Sequence, residues 1–291
     1  MNQQANLCEN CLFFNDKVNK KFTCSAFPDG IPEAIVSGFD HNFPYYGDND
    51  IRFRPKKYSN SHVCHFQERY EKFPVNFNIH FDSFWRWKNN VEKEGFEILD
   101  DKHIGVTFEK LKTILSKWKC FRNAPGGEDG IKFDRWGMFK ESLINIRDSY
   151  DAISDKTLLN LYEIDTKTLN VIWNEFGKVK EPAGAYNDAN EYYIISICKP
   201  LMIIWGQTLA FDTIVRKEIQ HDFRCCKNNY RWEFEDWLRV LIESKKFLEE
   251  NPELCRYFQD FSIKKYGKSS IVPYGRFLDI KYFERKQTCW R

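Results

Sequence analysis

Residues 234–266 leave the chain little choice of structure. From Phe234 to Leu248 the apolar residues Trp237, Leu238, Leu241, Ile242 and Leu248 recur at three- and four-residue spacing, which sets them on one face of a helix. Pro252 follows; it suits the first turn of a helix, where its missing N–H costs nothing. A second helix is predicted from there to about Tyr266, stopped by Gly267. The same period returns upstream. Phe108 to Trp118 places Leu111, Ile114, Leu115 and Trp118 on one face, Trp136 to Ile153 repeats it, and Thr166 to Phe176 repeats it again before Gly177. Asn78 to Trp87 is dense in aromatics, and Gly and Pro mark loops at 124–134 and 177–188. Alternating β-type runs are scarce after residue 75. The reading is a mainly α chain with a helical domain over residues 71–291. A hydrophobic content of 42% with 17% aromatics supports a real core over 291 residues, so most Trp and Phe side chains are expected inside it.

Residues 1–70 read differently. Cys8-x-x-Cys11 is followed by Cys24 and then by AFPDGIPEAIVSGFDHNFPYYGDNDIRF, a run rich in Gly, Pro, Asp and Asn. Such a stretch is mostly turns with little core of its own. A Cys-x-x-Cys turn points two thiolates at one tetrahedral ion, and Cys24 is a natural third ligand; His41, Cys64 or His65 could be the fourth. A structural zinc would supply the folding energy that the turns lack. The plainer reading is a set of unrelated thiols. The run from Cys8 to Phe53 also resembles the short "C-x-x-C…C-x-AFP-x-GIP…G…DH…P…GD…I-x-F" segment of bacterial and phage-associated proteins. That resemblance implies a small metal-binding accessory module and favours His41 as a ligand.

The stretch KPLMIIWGQTLAFDTIVRKEI, residues 199–219, carries the candidate chemistry. Pro200 disfavours the α conformation at Lys199 and suits a first helical position, which predicts Lys199 at a helix start. There the helix dipole and neighbouring apolar side chains lower an ammonium's pKa, and a lysine so treated can act as a nucleophile. Asp212 precedes Thr213-Ile214-Val215-Arg216 and reads as a helix cap, a carboxylate held ionised by backbone amides. Fixed beside an apolar pocket, it can stabilise positive charge developing on a sugar. The plainer reading is a capping aspartate and a snorkelling lysine.

Ala210-Phe211-Asp212-Thr213-Ile214-Val215-Arg216 resembles the "F-P-V-D-T-H-V-x-R" segment of the helix-hairpin-helix DNA glycosylases, and the OGG-like bacterial branch looks closer still. The resemblance covers residues 185–225. It implies an all-helical enzyme, a DNA N-glycosylase, in which Asp212 is the catalytic carboxylate and Lys199 attacks C1′ or orients the leaving base. A base inside the duplex stack cannot be attacked, so the nucleotide is flipped into a pocket. Trp205, Phe211 and Trp173 would stack on that base and Gln207 would read its edge. By class analogy the target is a damaged or modified base, as in anti-phage defence. The L-P-G-x-G hairpin of the family is absent before the lysine, where residues 191–198 read EYYIISIC, and Ile214 stands in place of the family histidine.

Net charge is only +2, which excludes a global polycation and leaves room for a local basic surface. Residues 261–291 carry eight Lys or Arg against two Asp or Glu, interleaved with aromatics. Lys264, Lys265, Lys268 and Arg276 there, with Arg216, are the candidate phosphate contacts for DNA. Two alternatives stand. Arg216 and His221 form an R-x4-H pair of the HEPN ribonuclease kind, and the zinc module with a basic tail could be a non-catalytic nucleic-acid-binding protein. No organic cofactor motif is evident. The start MNQQANLCEN lacks a basic n-region with an apolar h-region, and the longest apolar run, Leu201 to Trp205, is far too short for a membrane, so a cytoplasmic chain is expected.

Overall fold

The computed structural model describes residues 8, 11, 13–18, 21–37, 39, 41, 44–53, 61–118, 120, 135–179, 192–223, 231–268 and 270–283. The chain divides into two compact units, Met1–Cys64 and His65–Arg291. This division and the boundary expected at residue 70 fall in the same helix, Ser61–Lys72.

The first unit is built from turns around a hairpin. Strands β1 (Phe14–Val18) and β2 (Lys21–Cys24) pair antiparallel, with Phe14 opposite Cys24 and Val18 opposite Lys21. The short helix α1 (Glu33–Val36) follows. Its core is small: Cys24, Ala26, Phe27 and Ile35, with Cys8, Ile31, Tyr45 and Ile51 packed against them. Asp48 organises the last turn. Its carboxylate accepts from the Tyr45 amide at 2.7 Å, the Asp50 amide at 3.1 Å and Arg52 Nη1 at 2.6 Å.

The second unit is mainly helical. Its elements are α2 (Ser61–Lys72), α3 (Val75–Lys93), α4 (Ile104–Lys117), α5 (Arg135–Asn145), α6 (Arg147–Ser154), the 3-10 turn Leu158–Glu163 and α7 (Thr166–Gly177). Then come α8 (Ile194–Ile204), α9 (Thr213–Phe223), α10 (Phe234–Glu250), α11 (Pro252–Tyr266) and α12 (Tyr274–Tyr282). Two short strands, β3 (Tyr192–Tyr193) and β4 (Arg231–Trp232), pair antiparallel. The predicted α10 and α11 are present, with Pro252 in the first turn of α11 and Gly267 at φ 96° beyond its end. The buried face of α10 is Trp237, Val240, Leu241, Ser244 and Leu248, while Ile242 turns to solvent at 49% exposure. The stretch read as one helix from Trp136 to Ile153 is two, α5 and α6, meeting at Ile146. The predicted loop at 124–134 and most of that at 177–188 lie outside the described residues.

Helix α8 is the axis of this unit, packing against α3, α4, α7 and α12. Six of its apolar side chains, Ile194, Ile197, Leu201, Met202, Ile203 and Ile204, have no exposure. At about 1.5–3 kcal/mol per buried side chain, this outweighs the roughly 3 kcal/mol that a proline costs inside a helix. Helix α8 therefore runs straight through Pro200. Its last carbonyls are answered from outside: Trp85 Nε1 donates to Ile203 O at 2.8 Å and Tyr150 Oη to Ile204 O at 2.9 Å. Gly206, at φ 76°, then turns the chain, and a side chain there would strike Trp85. No helix among the described residues is long and apolar enough to cross a membrane.

Candidate functional site

The turn leaving α8 is strained at one place. Phe211 sits at φ 56°, a left-handed conformation that costs a bulky residue on the order of 1–3 kcal/mol. Its fully buried ring packs edge-on against Trp232, 5.1 Å between centroids. The next residue is Asp212, whose Oδ1 accepts from the amides of Ile214 and Val215, both at 3.1 Å. Asp212 thus caps α9, as its position in the sequence predicts.

Helix α12 braces that turn. A Cβ on Gly275 would lie 2.3 Å from the backbone of Gln207, so only glycine lets the two backbones approach this closely. The Arg276 amide donates to Gly206 O at 3.2 Å. Asp279 Oδ1 accepts from the Ala210 amide at 2.8 Å, and its Oδ2 accepts from Arg276 Nη1 at 3.2 Å. Arg276 also donates through Nη2 to Asn78 Oδ1 on α3 at 2.9 Å, and its guanidinium lies over the rings of Phe73, Phe81 and Trp118.

These elements line a small, half-open pocket of about 30 Å³, room for a water or two. Its charged lining is Lys199, Asp212, Arg276 and Asp279; its aromatic wall is Phe73, Phe77, Trp118 and Phe283. Lys199 Nζ donates to Trp118 O at 3.4 Å. Burial pushes the Asp279 carboxyl up to about 6; Arg276 opposes the rise and Asp212 adds to it. Two cations and two carboxylates therefore line one small pocket.

Several sequence expectations need correction. Lys199 is mid-helix in α8, not at a helix start, so no amino-terminal dipole acts on it. The four residues assigned to stack on or read a base are core. Trp205 is 1% exposed and donates to Lys156 O at 3.1 Å. Gln207 is fully buried, with Oε1 accepting from the Leu158 amide and Nε2 donating to Val272 O, both at 2.9 Å. Trp173 stacks on Trp237, 5.4 Å between centroids, and Phe211 packs on Trp232. None of the four lines the cavity. The aromatic wall that does was missed, because its members lie far apart in the sequence and meet only on folding. Asp279 was missed too; its signal was one of only two acids in a basic segment.

Among the described residues the basic surface is smaller than expected. Arg276 is 2% exposed and Arg216 4%, so neither stands on an open phosphate-binding face. Lys265 pairs with Asp82 and lies over the rings of Tyr70 and Phe261. Lys264 and Lys268 are exposed. The interleaved aromatics Tyr266, Tyr274, Phe277 and Tyr282 are buried. The side chain of His221 and residues 284–291 lie outside the described residues.

In the amino-terminal unit the Cys11 amide donates to Cys8 O at 2.9 Å, closing the Cys-x-x-Cys turn. Burial raises the Cys24 thiol, opposed by the amides of Phe27 and Ala26, and neighbouring Cys11 adds to the rise. The His41 ring lies 5.4 Å from that of Phe27. Cys64 is exposed on α2, and His65 on the same helix accepts from Arg69 Nε at 3.2 Å. Among the described residues no three His, Cys, Asp or Glu side chains form a metal-holding group. No protein family, curated protein or solved structure matches the chain.

Proposed function

We propose that the helical unit is a DNA glycosylase-like enzyme that excises a flipped base. The observation that carries the reading is that Lys199, on α8, and Asp212, at the cap of α9, line one small pocket. Asp212, held by two amides, stabilises positive charge as the bond between C1′ and the base breaks and the electron pair leaves with the base. In this reading Lys199 gives a proton to a carboxylate of the pocket and its amine attacks C1′, the N–C1′ bond forming as the bond to the base breaks. A base is larger than the cavity, so it enters by displacing the Phe77 or Phe283 side of the aromatic wall. Exposed Lys264 and Lys268 contribute phosphate contacts.

The test is base release from DNA bearing damaged or modified bases. Lys199→Ala and Asp212→Asn should each abolish release and leave DNA binding within a few fold. Full activity in both variants sinks the assignment.

For the amino-terminal unit the proposal is a structural zinc on Cys8, Cys11, Cys24 and His41. The closed Cys-x-x-Cys turn, the amides directed at Cys24 and the packing of Cys8 against the Cys24 cluster support it. Binding would draw these neighbours into a tetrahedron. Metal analysis of Cys8→Ser and Cys24→Ser should find the zinc content lost; unchanged content in both removes the proposal.

A further inference from the structure

Asp279 lies at the centre of the bonds that hold the site together. Asp212 lines the pocket directly after Phe211, whose left-handed conformation nothing in the local sequence Leu209-Ala210-Phe211 favours. A strained turn persists only where its surroundings over-determine it. The surroundings here are the Phe211 ring against Trp232 behind the turn and Asp279 on its cavity side. Asp279 takes the Ala210 amide, two residues before Asp212, and is itself held by Arg276. Arg276 in turn is held by Asn78 of α3 and by the rings of Phe73 and Phe81. A chain of bonds thus runs from α3 through α12 to the turn before α9.

We propose that Asp279 is the positioning residue of this site: through the Ala210 amide it holds the turn that aims Asp212 into the cavity, and through Arg276 it ties that turn to α3. This role rests on Asp212 being the working carboxylate of the reaction proposed above. A neutral amide in its place could still take the Ala210 amide on its one oxygen, but it would bring no charge to Arg276 and would lose the second acceptor that Oδ2 provides. The charged groups facing Asp279 are Arg276 on its own helix, Asp212 on the turn and Lys199 on α8. Its negative charge is therefore set between two cations and a second acid. When Asp279 takes up a proton it loses its grip on Arg276 and leaves Asp212 as the single anion of the pocket.

Hydrogen exchange and single-turnover base release test this together. The amides to watch are those of Ile214 and Val215, which Asp212 itself protects and which a purely local defect at Ala210 does not touch. In Asp279→Ala their exchange should speed up by about tenfold or more. Base release should fall by about a hundredfold, the usual consequence of a misplaced catalytic group, with DNA affinity little changed. Asp279→Asn retains an acceptor for Ala210; it should keep these amides protected and lose the acid limb of the rate profile near pH 6. Wild-type exchange at Ile214 and Val215 in Asp279→Ala overturns the proposal whatever the activity. If the alanine variant does not fold, an unaltered acid limb in Asp279→Asn overturns it instead. A wild-type protein that releases no base from any DNA offered removes the functional reading alone, since the exchange result still decides the brace.

Discussion

Two buried aspartates, one in each unit, use similar partners to opposite effect. Asp48 and Asp279 each accept from backbone amide and from an arginine. For Asp48, burial disfavours the charge, but the amides of Tyr45 and Asp50 and the guanidinium of Arg52 outweigh it, and the carboxyl is held below its ordinary value. For Asp279, burial wins over Arg276 and the single Ala210 amide, and Asp212 adds its repulsion. The arginine distances agree with this: 2.6 Å at Asp48 against 3.2 Å at Asp279. One carboxylate is satisfied, as a turn requires. The other is kept under-compensated beside a cavity, an arrangement that costs stability and that functional sites tolerate.

The largest expected difference between the two is in activity. Asp212→Asn removes the carboxylate that Asp279 supports and should abolish base release, a loss of about a thousandfold or more. Asp48→Asn should leave the rate unchanged and instead loosen the amino-terminal unit, read by proteolysis between residues 44 and 53.

Next in size is the brace. Gly275→Ala puts a methyl group into the backbone of Gln207 and Thr208. It should cost about 3 kcal/mol, at the upper end of overpacking effects, and lower the Tm of the helical unit. A substitution at Gly47, whose Cβ would meet nothing within 4 Å, brings only the strain of its φ of 81°.

Acidification should then move the two units in opposite directions. The Asp279 carboxyl is raised in the folded state, so stability is lost as the pH rises from the ordinary aspartate value of about 3.9 to about 6, and the loss is complete above that. Lowering the pH from about 6 toward 4 should return that stability to the helical unit, and Asp279→Asn should abolish this slope. The Asp48 carboxyl is lowered, so its contribution is present above the ordinary aspartate pKa of about 3.9 and is lost as the pH falls through its folded value. Unit-resolved thermal melts across pH 3–7 check both signs.

The smallest effect separates the surface lysines. Lys264→Ala and Lys268→Ala should each reduce the salt slope of DNA binding by about one and leave stability within about 0.5 kcal/mol. Lys265→Ala should instead lower the stability of the helical unit, because it strips the partner from part-buried Asp82, with which Tyr266 also bonds. Equal salt effects from all three would erase the distinction drawn between surface and fold lysines.

The helices were legible where local spacing decides them. Helices α10 and α11 follow from apolar period, Pro252 and Gly267 alone. The cap at Asp212 was legible for the same reason, since an aspartate two and three residues before the amides it accepts from is a local motif. Lys199 was misplaced because Pro200 reads locally as a helix start, whereas burial along the whole of α8 carries the helix through it. Arg276 was misread because interleaved bases and aromatics look alike on a nucleic-acid surface and in a buried helix whose rings form core. Asp279, Phe73, Trp118 and Phe283 come together only through tertiary packing, and no spacing rule joins residues so far apart in the chain.

The most direct test of the central claim is a borohydride trap on DNA carrying an abasic or modified site. The wild-type protein should form a covalent adduct with the strand, and the attachment should map to Lys199 and vanish in Lys199→Ala. No adduct from the wild type, or an adduct of equal yield in Lys199→Ala, would contradict a nucleophilic lysine facing Asp212 across this cavity.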